Sequence, residues 1–353
     1  MKKIRVGIIG LGNMGMKYAV YLKEGKVPNA IITAVTTRNE EKYQWAKNNL
    51  KEVACFSTGE ELLSFKEIDA VIIATPHNTH PYYGKLAFSK GLHVLIEKPS
   101  GVILKDVEEM NALALESEKT FGIMFDRRFE PIYKKVKEYM VNGYLGELYR
   151  INWISTVFRT QGYYNSNDWR GTWDGEGGGV LLNQTQHQLD LWQWFFGMPT
   201  KLSGFCKYGK YHNIEVEDDF TGYMEYDNGL TGVFVASTYE APGTERLEIV
   251  GEWGKIVLED SYLKLWKLNQ STKEVVNKTN EGETPSYTFT EEKFEINSNR
   301  RLDLIIDWVK AIRDNKTTVA PGIDGINPLL MTKGFYLSSD MGKVINVCDK
   351  NIT

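Results

Sequence analysis

The chain has 353 residues, enough for about two domains that each bury a core of their own. Hydrophobic residues at 42% and charged residues at 25% describe an ordered globular protein, and 42 basic against 46 acidic side chains (net charge −4) exclude a generally basic nucleic-acid binder. No apolar run reaches the roughly 18 residues of a membrane span, and Ile4 to Leu11 is too short for a signal peptide. Cys55, Cys206 and Cys348 lie far apart without CxxC or Cys/His spacing, which reads as reduced thiols in a cytoplasmic protein.

In chain order, residues 4–9 read as a buried strand and Asn13 to Glu24 as the following helix. Residues 30–36 form a second strand and Glu40 to Leu50 a helix; Ala70 to Ala74 a third strand and Pro81 to Lys90 a helix. His93 to Glu97, Lys105 to Lys119 and Thr120 to Met124 continue the alternation. Continuous apolar strands alternating with helices predict a doubly wound parallel sheet over residues 1–125. The pattern then changes. Helices are predicted at Ile132 to Asn142 and Val180 to Phe196, among period-two runs at Glu147 to Phe158, Phe220 to Tyr226 and Leu230 to Thr238. Asp227-Asn228-Gly229 predicts a hairpin turn, and Gly251 to Gly254 another. Residues 126–353 are therefore expected to be an α+β domain with a large, open, mostly antiparallel sheet. It closes on a polar segment at 270–293 and two helices near 300–314 and 327–341.

Gly10-Leu11-Gly12-Asn13-Met14-Gly15 is a GxGxxG turn between strand and helix. In it Gly10, Gly12 and Gly15 permit a tight turn, close approach of a pyrophosphate and helix–strand packing, and Asn13 and Met14 begin the helix. At the end of the second strand Thr37-Arg38 stands where NAD-specific sites carry an acid, which favours NADP(H) and leaves NAD(H) possible. Thr75, Pro76, Asn78 and His80 follow the third strand and are read as shaping the dinucleotide pocket. His77 and His80 lack a carboxylate or thiol companion, so no metal site is assigned. Glu97-Lys98-Pro99 ends the fourth strand.

These features together resemble the Gfo/Idh/MocA oxidoreductases. The resemblance continues through Arg127 to Pro131, Gly143 with Leu145-Gly146, the segment Gly177-Gly178-Gly179 to Asn183, His187 and Asp190, and Leu337-Ser338-Ser339. It implies a Rossmann domain followed by an α/β domain whose open sheet forms homodimer or homotetramer contacts. It further implies hydride transfer between NAD(P) and a secondary alcohol or ketone of a sugar, sugar derivative, glycoside or inositol. The lysine of Glu-Lys-Pro and the histidine of the second-domain helix map onto Lys98 and His187 as catalytic groups, with Glu97 and Lys98 also facing the dinucleotide.

On a continuous helix Asn183, His187 and Asp190 share one face. Many relatives carry Asp where this chain has Asn183, and an amide orients or binds but relays no proton. Tyr164, Trp169 and Arg170, with Trp173 after them, have the flat-ring and polar-rim chemistry of a sugar-binding wall, and Lys98, Asn183 and His187 complete the expected substrate contacts. Eight of the nine tryptophans follow residue 150, which suits such a wall and a sheet interface. Asp126-Arg127-Arg128 reads as a structural ion-pair cluster. Two readings compete with a simple dehydrogenase: redox-assisted glycoside processing with transient use of NAD, and a non-catalytic dinucleotide or sugar sensor.

Overall fold

A computed structural model describes residues 3–278 and 282–347, so Cys348 lies outside the described residues. The chain divides into two compact units, Met1–Phe129 with Ser298–Leu329, and Glu130–Asn297 with Leu330–Thr353.

In the first unit β1 (Ile4–Ile9), α1 (Asn13–Lys23), β2 (Ala30–Thr36), α2 (Glu40–Asn49), β3 (Ala54–Phe56), α3 (Gly59–Leu63), β4 (Ala70–Ile73), α4 (His80–Ser89), β5 (His93–Ile96), α5 (Leu104–Ser117) and β6 (Phe121–Ile123) alternate. The six strands form a sheet of order β3-β2-β1-β4-β5-β6, every pairing parallel. This is the doubly wound order, with its switch point between β1 and β4. Val6, Ile8, Ile72, Ile73, Val94 and Leu95 are all fully buried, as strands covered on both faces require. The short β3 and α3 carry too little apolar periodicity to be expected from sequence. A capping box, Thr58 with Glu61, starts α3.

The division is not into the two contiguous segments 1–125 and 126–353. Segment 298–329 returns to the first unit because its groups find partners there: Arg300 and Arg301 pair with the buried Asp126 (2.8 and 3.3 Å), and the fully buried Arg128 holds Asp324 and the Val319 carbonyl. The backbone N–H of Ile123 also donates to the Ala320 carbonyl.

The second unit contains α6 (Pro131–Val141), β7 (Leu148–Thr156), α7 (Gln161–Tyr164), α8 (Gln186–Phe196), β8 (Lys201–Tyr208), β9 (Glu217–Glu225), β10 (Thr231–Ser237), β11 (Glu245–Gly251), β12 (Gly254–Glu259), β13 (Tyr262–Leu268), α9 (Thr272–Val276) and β14 (Tyr287–Lys293). After the returning α10 (Arg300–Asp314), α11 (Ile326–Met341) crosses between the units' segments and β15 (Ile345–Asn346) ends the described chain. The nine-stranded sheet has order β14-β13-β12-β11-β7-β10-β9-β8-β15 and is antiparallel except for the β7–β10 pair. Both predicted turns connect paired strands, β9 to β10 and β11 to β12, and in the first only Gly229 takes a positive φ, +86°.

Alternation along the strands sends Trp153, Phe220, Phe234, Leu247 and Ile256 inward, where they meet Leu189, Trp192 and Phe195 of α8. Trp153 and Trp192 stack at 6.2 Å. Much of the aromatic excess is therefore core: Trp153, Trp192 and, in the first unit, Trp308 are among the largest fully buried side chains.

Two of the three glycines of the first turn differ in what they tolerate. A methyl at Gly15 would collide with the Gly10 carbonyl oxygen, whereas one at Gly12 meets nothing within 4 Å. Gly15→Ala is expected to lower the unfolding free energy by about 1–3 kcal/mol and Gly12→Ala by less than about 1 kcal/mol, read from denaturant titrations.

Candidate active site

In the first unit four loops gather at the carboxyl edge of the parallel sheet, after β1, β2, β4 and β5. The glycine turn is held by a residue the sequence reading passed over: the Thr36 hydroxyl accepts the Gly10 N–H (3.1 Å) and the Thr36 carbonyl accepts that of Leu11. Gly10 has φ +97°, and a Cβ there would press on the Ala74 carbonyl at 2.6 Å. No side chain caps α1 at Gly12, so its first-turn N–H groups remain for an anion, and Asn13 is exposed beside them with Met14 half-buried. That cradle fits the pyrophosphate of a dinucleotide. Thr37 accepts the Asn39 N–H, Asn39 caps α2, and Arg38 is exposed at the strand end with no carboxylate before Glu40.

The third loop places Pro76 and Asn78 at the surface, while Thr75 accepts the Thr79 hydroxyl proton at 2.7 Å. His80 is different. It is fully buried, its Nδ1 2.7 Å from the Pro99 carbonyl oxygen and its Nε2 2.9 Å from that of Thr75, so it ties the third loop to the Glu-Lys-Pro turn. Burial lowers its proton affinity, against the pull of those two carbonyls. His80 thus braces the two turns against each other from a fully buried position. Glu97 likewise turns inward: the buried Tyr18 of α1 donates to its carboxylate, which also accepts the Lys98 N–H. Desolvation raises the Glu97 carboxyl and the Tyr18 phenol alike. Lys98, between Glu97 and Pro99, is half-buried.

In the second unit the predicted helix Val180 to Phe196 is interrupted. Val180–Gln184 is a π-turn, Thr185 leaves helical geometry, and α8 starts at Gln186. The cause is Glu217, fully buried on β9, whose carboxylate accepts the N–H groups of Gly179 and Leu181 at 2.8 Å each and the Tyr336 hydroxyl at 2.8 Å. The Thr185 N–H then closes on the Val180 carbonyl, one residue farther back than an α-helix allows. Asn183 and His187 consequently lie on either side of a break, and the single-face spacing does not hold. His187 is half-buried in the first turn of α8, while Asp190 is fully buried and accepts from Gln193.

Asn183 donates its amide to Glu176, a buried carboxylate that also accepts the Gly171 N–H. This accounts for the amide: an Asp here would set two carboxylates against each other. Beside it Gln184 accepts from Arg159 (2.9 Å) and donates to the Tyr163 hydroxyl (2.9 Å), which also accepts from Arg170 (2.6 Å). Arg170 therefore stands beside the candidate helix, stacked on Trp169, which is 39% exposed. Tyr164 does not. It is buried, its hydroxyl on Thr238 at 3.1 Å and its phenol pushed up to about 12 by desolvation, so it packs while its neighbour Tyr163 joins the polar cluster. Trp173 lines a cleft of about 630 Å³ with Tyr208, Lys333, Tyr336 and Asp340. Arg159, Glu176 and Glu217 carry no local sequence signal, because each comes from a different part of the second unit.

Two family models cover most of the chain. An NAD-binding Rossmann-fold oxidoreductase model matches residues 4–125 and the GFO/IDH/MocA C-terminal domain model matches residues 133–257. The chain belongs to the Gfo/Idh/MocA oxidoreductase family. This Gfo/Idh/MocA oxidoreductase is 25% identical over 281 residues to 1-carboxy-3-chloro-3,4-dihydroxycyclohexa-1,5-diene dehydrogenase of Comamonas testosteroni, covering 79% of this chain and 68% of that one. It is 26% identical over 267 residues to myo-inositol 2-dehydrogenase of Thermotoga maritima (73% and 75%). The WlbA dehydrogenase of Bordetella pertussis, solved with NADH and UDP-GlcNAcA, shares the fold at TM-score 0.81 and 22% identity, covering 98% of this chain and 99% of that one. Among the described residues no helix is long and apolar enough to cross a membrane, and no three His, Cys, Asp or Glu side chains cluster as a metal site.

Two buried acids of this enzyme give opposite tests. Burial pushes the Glu217 carboxyl up to about 7, so its contribution to stability is present below about pH 4.5 and is lost as pH rises through about 7. Glu217→Gln carries no such loss: the unfolding midpoint of the variant relative to the parent should rise between pH 5 and pH 8. Asn183→Asp should do the reverse. Facing Glu176, it is expected to be tolerated near pH 5 and to cost about 1–3 kcal/mol at pH 8, with activity falling over the same range.

Proposed function

We propose that this oxidoreductase transfers hydride between NAD(P) and a secondary alcohol or ketone of a sugar, sugar derivative, glycoside or inositol, with Lys98 and His187 as its catalytic residues. The observation that carries the reading is the row of strand-end loops in the first unit. There an uncapped α1 and the Gly10 turn form an anion cradle, and the same sheet edge presents Lys98. Relatives named for inositol and dihydrodiol oxidation, and a fold neighbour solved with a nucleotide sugar acid, support a hydroxyl-bearing ring as substrate.

The nicotinamide, when bound, supplies the two-electron acceptor or donor. Everything else falls to side chains of this chain. His187 takes the proton of the substrate hydroxyl on oxidation and returns it on reduction, and Lys98 polarises the reacting oxygen through its ammonium. Asn183, locked by Glu176, orients the substrate and relays no proton. Arg38, exposed at the end of β2 where no carboxylate precedes Glu40, pairs with a 2′-phosphate, so NADP(H) is the preferred cofactor and NAD(H) the second. The outward face of the nine-stranded sheet, with Phe205 65% and Tyr223 40% exposed, is the surface through which a homodimer or homotetramer would form.

The test is steady-state kinetics over a panel of sugars and inositols. His187→Ala should lower kcat by about 10²–10⁴ on any substrate turned over, and undiminished turnover would defeat the assignment. Arg38→Ala should reduce kcat/KM about tenfold more for NADPH than for NADH; equal losses would defeat the NADP preference.

A further inference from the structure

Two arginines stand against the candidate helix, and among the described residues neither forms an ion pair with a carboxylate. Arg159 leaves the end of β7, its N–H donating to the Thr238 carbonyl (2.8 Å) and its own carbonyl facing His212 Nε2 (3.0 Å). Arg170 comes from the loop after α7. The guanidinium carbons lie 5.0 and 4.4 Å from the centroid of one ring, Tyr163, so two positive charges share a single aromatic platform. Each makes one neutral side-chain hydrogen bond, to Gln184 or to the Tyr163 hydroxyl. The Nε–H of each is enclosed and meets no acceptor among the described residues.

The buried acids nearby are occupied elsewhere. Asp218 accepts the N–H groups of Lys210, Tyr211 and His212 and faces the His212 ring; Glu176 holds Gly171 and Asn183; Glu217 holds Gly179, Leu181 and Tyr336. The two half-buried guanidiniums have no directly paired carboxylate among the described residues, and an anionic ligand would supply one. Gln184, bonded to both the Arg159 guanidinium and Tyr163, is the neighbour of Asn183 and three residues from His187. The two guanidiniums thus adjoin the Asn183–Gln184 turn that leads into the helix of His187.

We propose that Arg159 and Arg170 bind a carboxylate on the substrate, so that the enzyme acts on a sugar acid or its glycoside and not on a neutral sugar. The substrate carboxylate lies against the two guanidiniums, which act as positioning residues for the hydroxyl that meets His187. A carboxylate fits better than a phosphate ester because each guanidinium already spends one nitrogen on Gln184 or Tyr163, leaving a pair of forks for a planar two-oxygen acceptor. This inference rests on the sugar or polyol reading above, but its test needs no turnover.

The enzyme loaded with NADPH, and in parallel with NADH, is titrated calorimetrically with paired probes: D-glucuronate against D-glucuronamide, and D-galacturonate against D-galacturonamide, with D-glucose 6-phosphate and methyl β-D-glucopyranoside alongside. At least one acid should bind ten times more tightly than its amide, and that preference should disappear in Arg159→Met and Arg170→Met. The comparison of acid with amide uses the unaltered protein, so a variant that fails to fold does not cloud it. A panel in which no acid exceeds its amide overturns the proposal, as does tighter binding of the phosphate ester or of the neutral glycoside. Failure of the His187→Ala test with acid preference intact would instead refute the catalytic assignment alone.

Discussion

The carboxylate of Glu217 governs the shape of the segment from Gly179 to His187. A buried acid with no counter-ion is costly, and here three donors meet it: two backbone N–H groups at the glycine run and the Tyr336 hydroxyl. Those contacts capture the chain at Gly179 and Leu181, force the π-turn and restart the helix at Gln186. The glycine there is compelled by the same contact, since a Cβ on Gly179 would run into the Glu217 backbone. His187 therefore begins a helix and does not sit within one.

The first unit uses the same device. Glu97 is drawn inward by Tyr18 and by the Lys98 N–H, and His80 ties Pro99 to Thr75. These contacts link α1, the loop after β4 and the turn after β5, so three of the four cofactor-side loops are fixed to one another by buried polar groups. Lys98 gains its position from this arrangement, because its neighbours on both sides face the interior. Residues that resemble a binding motif in sequence thus separate into those that face the pocket and those that hold it.

What the sequence discloses and what it hides follow from how local each signal is. The parallel sheet was legible because β4 is a continuous apolar run and β1 and β5 are apolar after Arg5 and His93, and the Gly10 turn because glycine spacing is a local property. The break in α8 was not, since it depends on Glu217, more than thirty residues away. Tyr164 and Tyr163 are adjacent and chemically alike, and only tertiary packing buries the first and exposes the second to the arginines. The return of 298–329 to the first unit was hidden for the same reason: its ion pairs with Asp126 and Arg128 have no sequence period.

The charge pattern of the second unit explains why Asn183 and not Asp stands before His187. Glu176 lies beside Asn183 as an acceptor, so the chain has placed its fixed negative charge behind the amide and its fixed positive charge, Arg159 and Arg170, around Tyr163. An Asp at 183 would set a second carboxylate against Glu176. The amide keeps the hydrogen bond and removes the repulsion. The amide at 183 thus spares this segment a second negative charge beside Glu176, while Arg159 and Arg170 hold positive charge around Tyr163.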